Sequence, residues 1–364
     1  MRTTDIRVRR AIAAVTAGRP VVVTDDTSDD NDGHLVFAAE AATPKLLAFT
    51  VRHTSGYVRV ALPGSECERL NLPPVSHARA DYRVSVDWRG VGTGISATDR
   101  ALTIARLVAP GSEASHFRRP GHVVPQQAAD QGVLERSGVA EAAVDLARLG
   151  GRRAAAGLCE IVSRKNRSAM AHGAELLDFA DEYGLQVVTI AELAAYRRRT
   201  EPQVIRVAET VMPIRGGNAR VIGYRGLTDN AEHLAVIVGA AGADMPVLLH
   251  VHLECLTGDV FGGLACRCGR ELDSALALMA AQGGGVIVYL RPSGPLRGCG
   301  LETGAQSASP DHGPETVAWI LRDLGVSPVS LSDDTSDLGL VMFGAILDPN
   351  WRMEQRETAF ASAV

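Results

Sequence analysis

The amino-acid sequence is typical of an α/β (α+β) protein with two domains. Its 364 residues exceed what a single hydrophobic core usually supports. Short β-branched runs alternate with segments rich in alanine and leucine, as expected for strands and helices layered around sheets. A basic run followed by Pro202 is typical of the end of a helix and indicates a domain boundary there. We therefore predict domains at residues 1–203 and 204–364.

The predicted elements follow one another along the chain. The first is a helix that ends before the break at Gly18, Arg19 and Pro20, and the run VVVT after it predicts a strand. Further strands are predicted in the runs LVFAAE, YRVSVDW, LQVVTIAEL, PVLLHVHLE, GGVIVYLRP and LGVSPVSLS. Helices are predicted in the runs VAEAAVDLARLG, GAELLDFADEYG, ELDSALALMAAQ and ETVAWILRDLG.

The composition excludes several classes of protein. Hydrophobic residues make up 46% of the chain and charged residues 22%, which is the balance of a globular protein. The formal net charge of −5 provides no broad cationic surface for nucleic acid. No window of about 18 apolar residues predicts a membrane span, and the early run AIAAV is too short for a signal peptide. The six cysteines are then reduced thiols or metal ligands, which predicts a cytoplasmic protein.

Three cysteines surround a glycine-rich turn in VHLECLTGDVFGGLACRCGRE. Cys255 follows a predicted strand, and Cys266 and Cys268 form a Cys-x-Cys pair after ten intervening residues. Zinc prefers thiolates, with about four ligands in structural sites and three plus water in catalytic ones. Three thiolates thus predict an open zinc site whose bound water has a pKa of about 7. Two alternatives stay open: buried thiols without a metal, or a closed site with His250 or His252 as fourth ligand.

The cysteine motif resembles the zinc motif of GTP cyclohydrolase II. The stretches VIVYLRPSGPLRGCGL and ILRDLGVSPVSLS are similar to later parts of the same family. The resemblance implies a catalytic zinc ion on Cys255, Cys266 and Cys268. It also implies that the domain opens the imidazole ring of a purine nucleotide and releases formate, with Glu254 or His252 assisting the hydrolysis.

His250, His252, Glu271 and Arg297 are predicted to bind the substrate, and several of these positions depart from that family. His250 stands in place of an arginine, and Glu271 stands in place of a glutamine. Arg297 is predicted to take the role of the arginine in the family's phosphate-contacting loop. Asp311 and His312 are the nearby replacements for the family's Asp-x-Arg pair, which supplies a base and a nucleophile. They are predicted to take those roles, or to form a polar loop left by a deletion.

The first 200 residues resemble 3,4-dihydroxy-2-butanone 4-phosphate synthase in runs such as RHTSGYV, GVGTGISATDRALTI, RRPGHVVP and EAAVDLARL. The resemblance implies that the acidic loop DDTSDDNDGH binds magnesium and a sugar phosphate through Asp30, together with Arg136 and Glu160. The loop read alone is equally consistent with a solvated acidic turn. Val139 stands where the family has a metal-binding histidine, and Asp29 where it has a phosphate-binding arginine. Magnesium is therefore doubtful here, and we expect synthase activity to be lost.

The order of the two halves resembles that of bifunctional riboflavin-biosynthesis proteins, which implies a homodimer and a small-molecule substrate. The family's last phosphate site is replaced by the acidic run SDDTSD, and the chain contains only Lys45 and Lys165 as lysines. Three hypotheses follow. The second domain is a zinc-dependent cyclohydrolase, an enzyme using the zinc pocket on a less phosphorylated substrate in a specialised pathway, or part of a non-catalytic regulatory homologue.

Overall fold

The computed structural model describes residues 3–26, 31–76, 81–166, 168–215, 217–239, 247–291, 293–294, 296–300, 313–326 and 329–331. The chain divides into two compact units, Met1–Arg197 and Arg198–Val364, which are the first and second domains below. The predicted boundary near residue 203 lies shortly after this division. Within the described part of the chain, no helix combines the length and apolar character that a membrane crossing requires.

The first domain combines a mixed sheet with helices. Its α-helices are α1 (Thr3–Thr16), α2 (Pro44–His53), α3 (Gly64–Arg69), α4 (Ala97–Leu107), α5 (Val139–Leu149), α6 (Ala174–Tyr183) and α7 (Ile190–Thr200). Its strands are β1 (Val21–Thr24), β2 (Gly33–Ala38), β3 (Arg59–Pro63), β4 (Val86–Trp88), β5 (Phe117–Ala128), β6 (Ala156–Glu160) and β7 (Val187–Thr189). The predicted first helix, its break and the strand VVVT agree with α1 and β1.

The described strands of this domain form one sheet in the order β4-β5-β3-β6-β2-β1-β7. The pairs β1/β7 and β3/β5 are parallel, whereas the remaining neighbours are antiparallel. In the β2/β6 pair, His34 lies directly opposite Glu160. Side chains opposite each other in an antiparallel pair lie close enough to interact, so this register brings an imidazole and a carboxylate together.

Helix α5 lies in the core of the first domain. Its residues 139 to 147 are all buried, which is the pattern of a helix surrounded by protein on every side. The helix packs against β2, β3 and β6 as well as α1. Two of its buried residues are acidic, Glu141 and Asp145, and each of them binds an arginine of the same domain.

The second domain is built on a second mixed sheet. Its strands are β8 (Val204–Ile214), β9 (Gly217–Gly226), β10 (Glu232–Gly239), β11 (Val247–Leu253), β12 (Gly284–Leu290) and β13 (Val329–Leu331). Its α-helices are α8 (Leu256–Asp259), α9 (Cys268–Gln282) and α10 (Gly313–Asp323).

The strand order of the second sheet positions the candidate site. The described strands are arranged β13-β11-β12-β10-β9-β8. β11 is parallel to both β12 and β13, and the carboxyl ends of parallel strands meet at one edge of a sheet. Glu254 and Cys255 follow β11 at this edge, and Arg291 follows β12. This edge therefore gathers polar and ligating side chains, as open α/β sheets commonly do.

Candidate metal centre

Four thiols converge at the carboxyl end of β11. The sulfur atoms of Cys255, Cys266, Cys268 and Cys299 all lie within 4.8 Å of one another. The Sγ atoms of Cys255 and Cys266 are 3.8 Å apart, and those of Cys268 and Cys299 are also 3.8 Å apart. A disulfide requires about 2.05 Å between sulfurs, so these are free thiols. The structure thus joins the three predicted cysteines and adds a fourth.

Glycines allow the chain to bring these sulfurs together. A Cβ atom on Gly258 would lie 2.9 Å from the Cys266 sulfur and 3.2 Å from Cys268 Cβ. A Cβ atom on Gly269 would lie only 2.3 Å from the carbonyl oxygen of Gly258. Real Cβ atoms do not approach other atoms so closely, and only glycine fits where backbone segments come this near. Turn α8 and the start of α9 can therefore pack directly against each other.

The sulfur separations fit a tetrahedral zinc ion. Zinc–sulfur bonds of about 2.3 Å imply sulfurs about 3.8 Å apart at the corners of a tetrahedron. The two separations given above have that length. The donor set consists entirely of thiols, which are soft ligands that select zinc over magnesium or calcium. The four cysteines are therefore suited to hold zinc in both ligand chemistry and spacing.

The thiols affect one another's ionisation. Burial alone would raise the pKa of Cys255, but hydrogen bonds from the backbone N–H of Cys299, the Thr257 hydroxyl and the backbone N–H of Gly258 lower it to about 6. Burial and the neighbouring sulfurs raise the pKa of Cys268, and burial together with Cys255 raises the pKa of Cys299 to about 11. The Cys255 thiolate therefore forms easily, whereas ionisation of Cys268 and Cys299 beside it requires a cation to offset the added negative charge.

Cys299 was not among the predicted ligands. It lies 31 residues beyond Cys268 in the chain, far outside the spacing of a local zinc motif. One signal was present in the sequence: LRGCGL has a cysteine where the resembled family has isoleucine. Arg297 in the same run is half-buried, and its carbonyl oxygen accepts a hydrogen bond of 2.8 Å from the backbone N–H of Leu256. The substrate-binding role of its side chain stays a prediction.

A buried group of polar side chains lies beside the thiols. His252 Nε2 is 3.0 Å from Asp259 Oδ1, and the Tyr289 hydroxyl donates a hydrogen bond of 2.7 Å to Asp259 Oδ2. The backbone N–H of Cys255 donates to the same Oδ2 at 2.9 Å. The rings of His252 and Tyr289 stack with centroids 5.2 Å apart. Asp259 thus links the imidazole of His252, the phenol of Tyr289 and the backbone of Cys255. It was not among the site residues predicted from the sequence.

This arrangement corrects one of the alternatives considered for the zinc ligands. Neither His250 nor His252 belongs to the candidate ligand cluster found among the described residues, in which the fourth thiol is that of Cys299. His252 Nε2 is directed at Asp259. His250 is buried, with its ring centroid 5.7 Å from that of His252. The histidines therefore lie behind the thiols along the strand, and their substrate-binding role stays a prediction.

The remaining predicted residues of the second domain are placed as follows. Glu254 Oε1 accepts a hydrogen bond of 2.8 Å from Arg291 Nε, so the carboxylate next to Cys255 is paired with a cation. Glu271 lies in the first turn of α9, with Oε1 3.9 Å from Arg267 Nε. Asp311 and His312 lie outside the described residues.

A second polar cluster lies in the first domain. Glu160 Oε1 accepts a hydrogen bond of 2.9 Å from Arg59 Nη2 and lies 3.6 Å from His34 Nε2. Hydrogen bonding to His34 and the charge of Arg59 lower the pKa of Glu160 against the opposing effect of burial. Nδ1 of His34 is buried and has no hydrogen-bond partner in the described part of the chain. Glu160 was predicted from the sequence as a site residue, whereas Arg59 was not.

Among the described residues, neither Arg136 nor Val139 joins this cluster. Asp30 lies outside the described residues. Val139 begins α5, and its side chain packs in a hydrophobic cluster where it offers no metal ligand. Arg136 Nε donates a hydrogen bond of 2.8 Å to the buried carboxylate of Glu141, and its Nη2 donates to the carbonyl oxygen of Gln127 at 3.0 Å. Its substrate-binding role stays a prediction.

Fold and site together define a two-domain α/β protein with a candidate zinc centre in its second domain. A family model for 3,4-dihydroxy-2-butanone 4-phosphate synthase matches residues 9–196, and one for GTP cyclohydrolase II matches residues 205–333. The chain therefore belongs to the family of two-domain proteins in which the synthase domain precedes the cyclohydrolase II domain. The predicted fold class and the predicted family are confirmed.

Curated relatives match nearly the whole chain. Riboflavin biosynthesis protein RibBA of Rhodococcus erythropolis is 45% identical over 383 residues, which cover 97% of this chain and 90% of the relative. The protein of the same name from Mycobacterium tuberculosis is 48% identical over 346 residues, covering 92% of this chain and 79% of the relative.

Solved structures match either most of the chain or about half of it. RibBX of A. baumannii, described as a two-domain 3,4-dihydroxy-2-butanone 4-phosphate synthase, has a TM-score of 0.69 and 31% identity, covering 91% of this chain and 94% of that chain. A synthase solved in complex with two magnesium ions has a TM-score of 0.50 and 40% identity, covering 53% of this chain and 97% of that chain.

Proposed function

We propose that the second domain is a zinc-dependent hydrolase of the GTP cyclohydrolase II type that acts in riboflavin biosynthesis. It opens the imidazole ring of a purine nucleotide and releases formate. The observation that carries this proposal is the cluster of thiols with sulfurs 3.8 Å apart at the end of β11. The family assignment and the names of the curated relatives support the same reaction and pathway.

The protein's own groups supply positioning and proton transfer. Zinc on the thiolates, when bound, supplies Lewis-acid chemistry that activates water for attack on carbon. Asp259 accepts hydrogen bonds at Oδ2 from Tyr289 and from the backbone N–H of Cys255, so it is a carboxylate acceptor. His252 must then donate from Nε2, which leaves Nδ1 as its proton-accepting atom. Glu254, held by Arg291, is a second group able to accept a proton.

The experiment measures zinc and product in the purified full-length protein. We expect zinc by elemental analysis, and formate with pyrophosphate after incubation with GTP. Cys268→Ser is expected to lose bound zinc and formate production together, because it removes a thiolate from the cluster. Cys67→Ala is the matched control, since Cys67 is a buried cysteine of the first domain outside the cluster.

The outcomes separate the hypotheses. Bound zinc without consumption of GTP would exclude GTP as substrate and favour a less phosphorylated purine in its place. A protein that contains no zinc, or a Cys268→Ser variant with full zinc occupancy, would contradict the proposed metal site.

A second candidate function is the synthase reaction in the first domain. It is favoured by the buried Nδ1 of His34, which has no partner in the described part of the chain, beside the paired Arg59 and Glu160. The description of RibBX as a synthase and the names of the curated relatives count against the expectation that this activity is lost. Magnesium is proposed as the cofactor, because a related synthase was solved with two magnesium ions.

Glu160→Gln is expected to reduce the conversion of ribulose 5-phosphate in the presence of Mg²⁺ by roughly 10²-fold or more, since it removes the carboxylate on which His34 and Arg59 converge. Formate released from ribulose 5-phosphate is the readout. Glu68→Gln, the same chemical change at an exposed position of α3, is the control. An unaltered rate in Glu160→Gln, or a wild-type protein that leaves ribulose 5-phosphate intact, would contradict the second candidate function.

A further inference from the structure

We propose that Cys299 is a fourth zinc ligand, so that the second domain holds zinc in a closed four-thiolate centre. The proposal rests on the proposed function in one respect, namely that zinc is the resident metal. It departs from the predicted open site, in which three thiolates leave one position for water. Cys299 comes from the segment after β12, whereas the predicted ligands all come from the stretch that runs from the end of β11 to the first residue of α9.

The spacing of Cys299 equals that of the ligands already predicted. Its sulfur lies 3.8 Å from that of Cys268, the same separation as between Cys255 and Cys266. Because all the sulfurs also lie within 4.8 Å of one another, a single ion can contact them together. Two opposite edges of this group of four sulfurs thus have the length of about 3.8 Å that tetrahedral zinc–sulfur bonding requires.

Three contacts hold Cys299 in this place. Its backbone N–H donates to the sulfur of Cys255 at 3.4 Å, and its carbonyl oxygen accepts a hydrogen bond of 3.1 Å from the Thr257 hydroxyl. The preceding Arg297 carbonyl accepts from the backbone N–H of Leu256 at 2.8 Å. The segment carrying Cys299 is thus fastened to the residues next to Cys255. A thiol that merely happened to lie nearby would not require this set of bonds.

The geometry has a consequence for the reaction. A zinc ion with four thiolates has the closed coordination of a structural site, whereas hydrolysis needs an open position. Cys255 is buried at one side of the cluster, while Cys299 is exposed to solvent at the other. Cys299 therefore lies on the accessible side of the ion, and it has to leave before a substrate or water can reach the metal. Its thiolate holds the hydrolase in a resting state.

X-ray absorption on the zinc-loaded, full-length protein tests this directly by counting sulfur neighbours. We expect four sulfurs in the wild-type protein. We expect three sulfurs and one oxygen or nitrogen in Cys299→Ser, with zinc affinity reduced about tenfold to hundredfold in a competition titration. The Co²⁺-substituted proteins should differ likewise in the intensity of their thiolate charge-transfer bands. Cys67→Ala, as matched control, should keep four sulfurs.

Three sulfurs at the zinc of the wild-type protein would overturn the proposal whatever the variants do, as would an unchanged sulfur count in Cys299→Ser. Formate production from GTP then separates this proposal from the proposed function. Four sulfurs without formate from either the wild type or Cys299→Ser would refute the hydrolase and leave the fourth ligand standing. Three sulfurs with formate from the wild type would do the reverse. If Cys299 closes the site, Cys299→Ser should release formate faster than the wild type.

Discussion

Asp145→Asn is expected to lower the free energy of unfolding of the first domain by roughly 3–5 kcal/mol, because it removes the buried carboxylate that pairs with the buried guanidinium of Arg197. The Asp145 carboxylate is fully buried in α5. It accepts hydrogen bonds from Arg197 Nη1 at 2.6 Å and from the backbone N–H of Val133 at 2.9 Å, and it also binds Arg148. Arg197 is itself 3% exposed, so water cannot replace the lost charge.

The neighbouring backbone packs closely against this carboxylate. Gly132 adopts φ +60°, and a Cβ atom there would lie 2.1 Å from Asp145 Oδ1. Arg197 Nη1 also donates to the carbonyl oxygen of Gln131 at 2.7 Å, so the same guanidinium ties α7 to the turn before α5. The ion pair therefore joins three segments of the first domain through one buried charge.

Urea unfolding can be monitored by the hydrogen exchange of the α5 amides, which reports the free energy of unfolding of the first domain alone. Asp178→Asn on the exposed face of α6 is the control, since the same change at the surface is expected to alter stability by less than about 0.5 kcal/mol. If Asp145→Asn were no more destabilising than Asp178→Asn, the buried pair would not contribute as argued.

Some of the amphipathic and buried elements of both domains could be predicted from the sequence. The run VAEAAVDLARLG predicts α5, and the break after the first helix predicts where β1 begins, since both depend on local residue patterns. Strands β3, β5 and β6 of the first domain and strands β8, β9 and β10 of the second were missed. β8 is exposed along nearly its whole length, so its sequence has neither an apolar run nor a clear alternation. Pairing with β9, rather than burial of its side chains, holds it in the sheet.

The candidate site was predictable only where its residues are close in sequence. Cys255, Cys266 and Cys268 lie within one short motif, and zinc chemistry explains their spacing. Cys299 and Tyr289 reach the site because β12 runs parallel to β11 and returns the chain to the same edge. Their proximity depends on the strand order of the folded domain. Spacing along the sequence does not contain that information, and for Cys299 the one signal was the cysteine in LRGCGL where the resembled family has isoleucine.

Asp259 was likewise not predictable from the local sequence, although it contacts several groups of the candidate site. Its carboxylate is the only acceptor that the described residues offer at once to His252, Tyr289 and the backbone of Cys255. Burial and the hydrogen bond to Asp259 raise the pKa of Tyr289, so its hydroxyl stays protonated and keeps donating. Asp259 therefore sets the orientation of the imidazole and of the first thiol-bearing residue together.

Asp259→Asn is expected to lower zinc affinity, and formate release from GTP, by roughly 10–100-fold, the usual cost of removing a group that orients metal ligands. An asparagine amide can present its oxygen to the Cys255 N–H and Tyr289 or to His252, but its NH₂ group cannot accept a hydrogen bond from the others. Zinc competition measures the first effect without reference to catalysis. Asp273→Asn on the exposed face of α9, where Asp273 pairs with Arg215, is the matched control. Equal zinc affinity and equal rates in the two variants would show that Asp259 positions neither group.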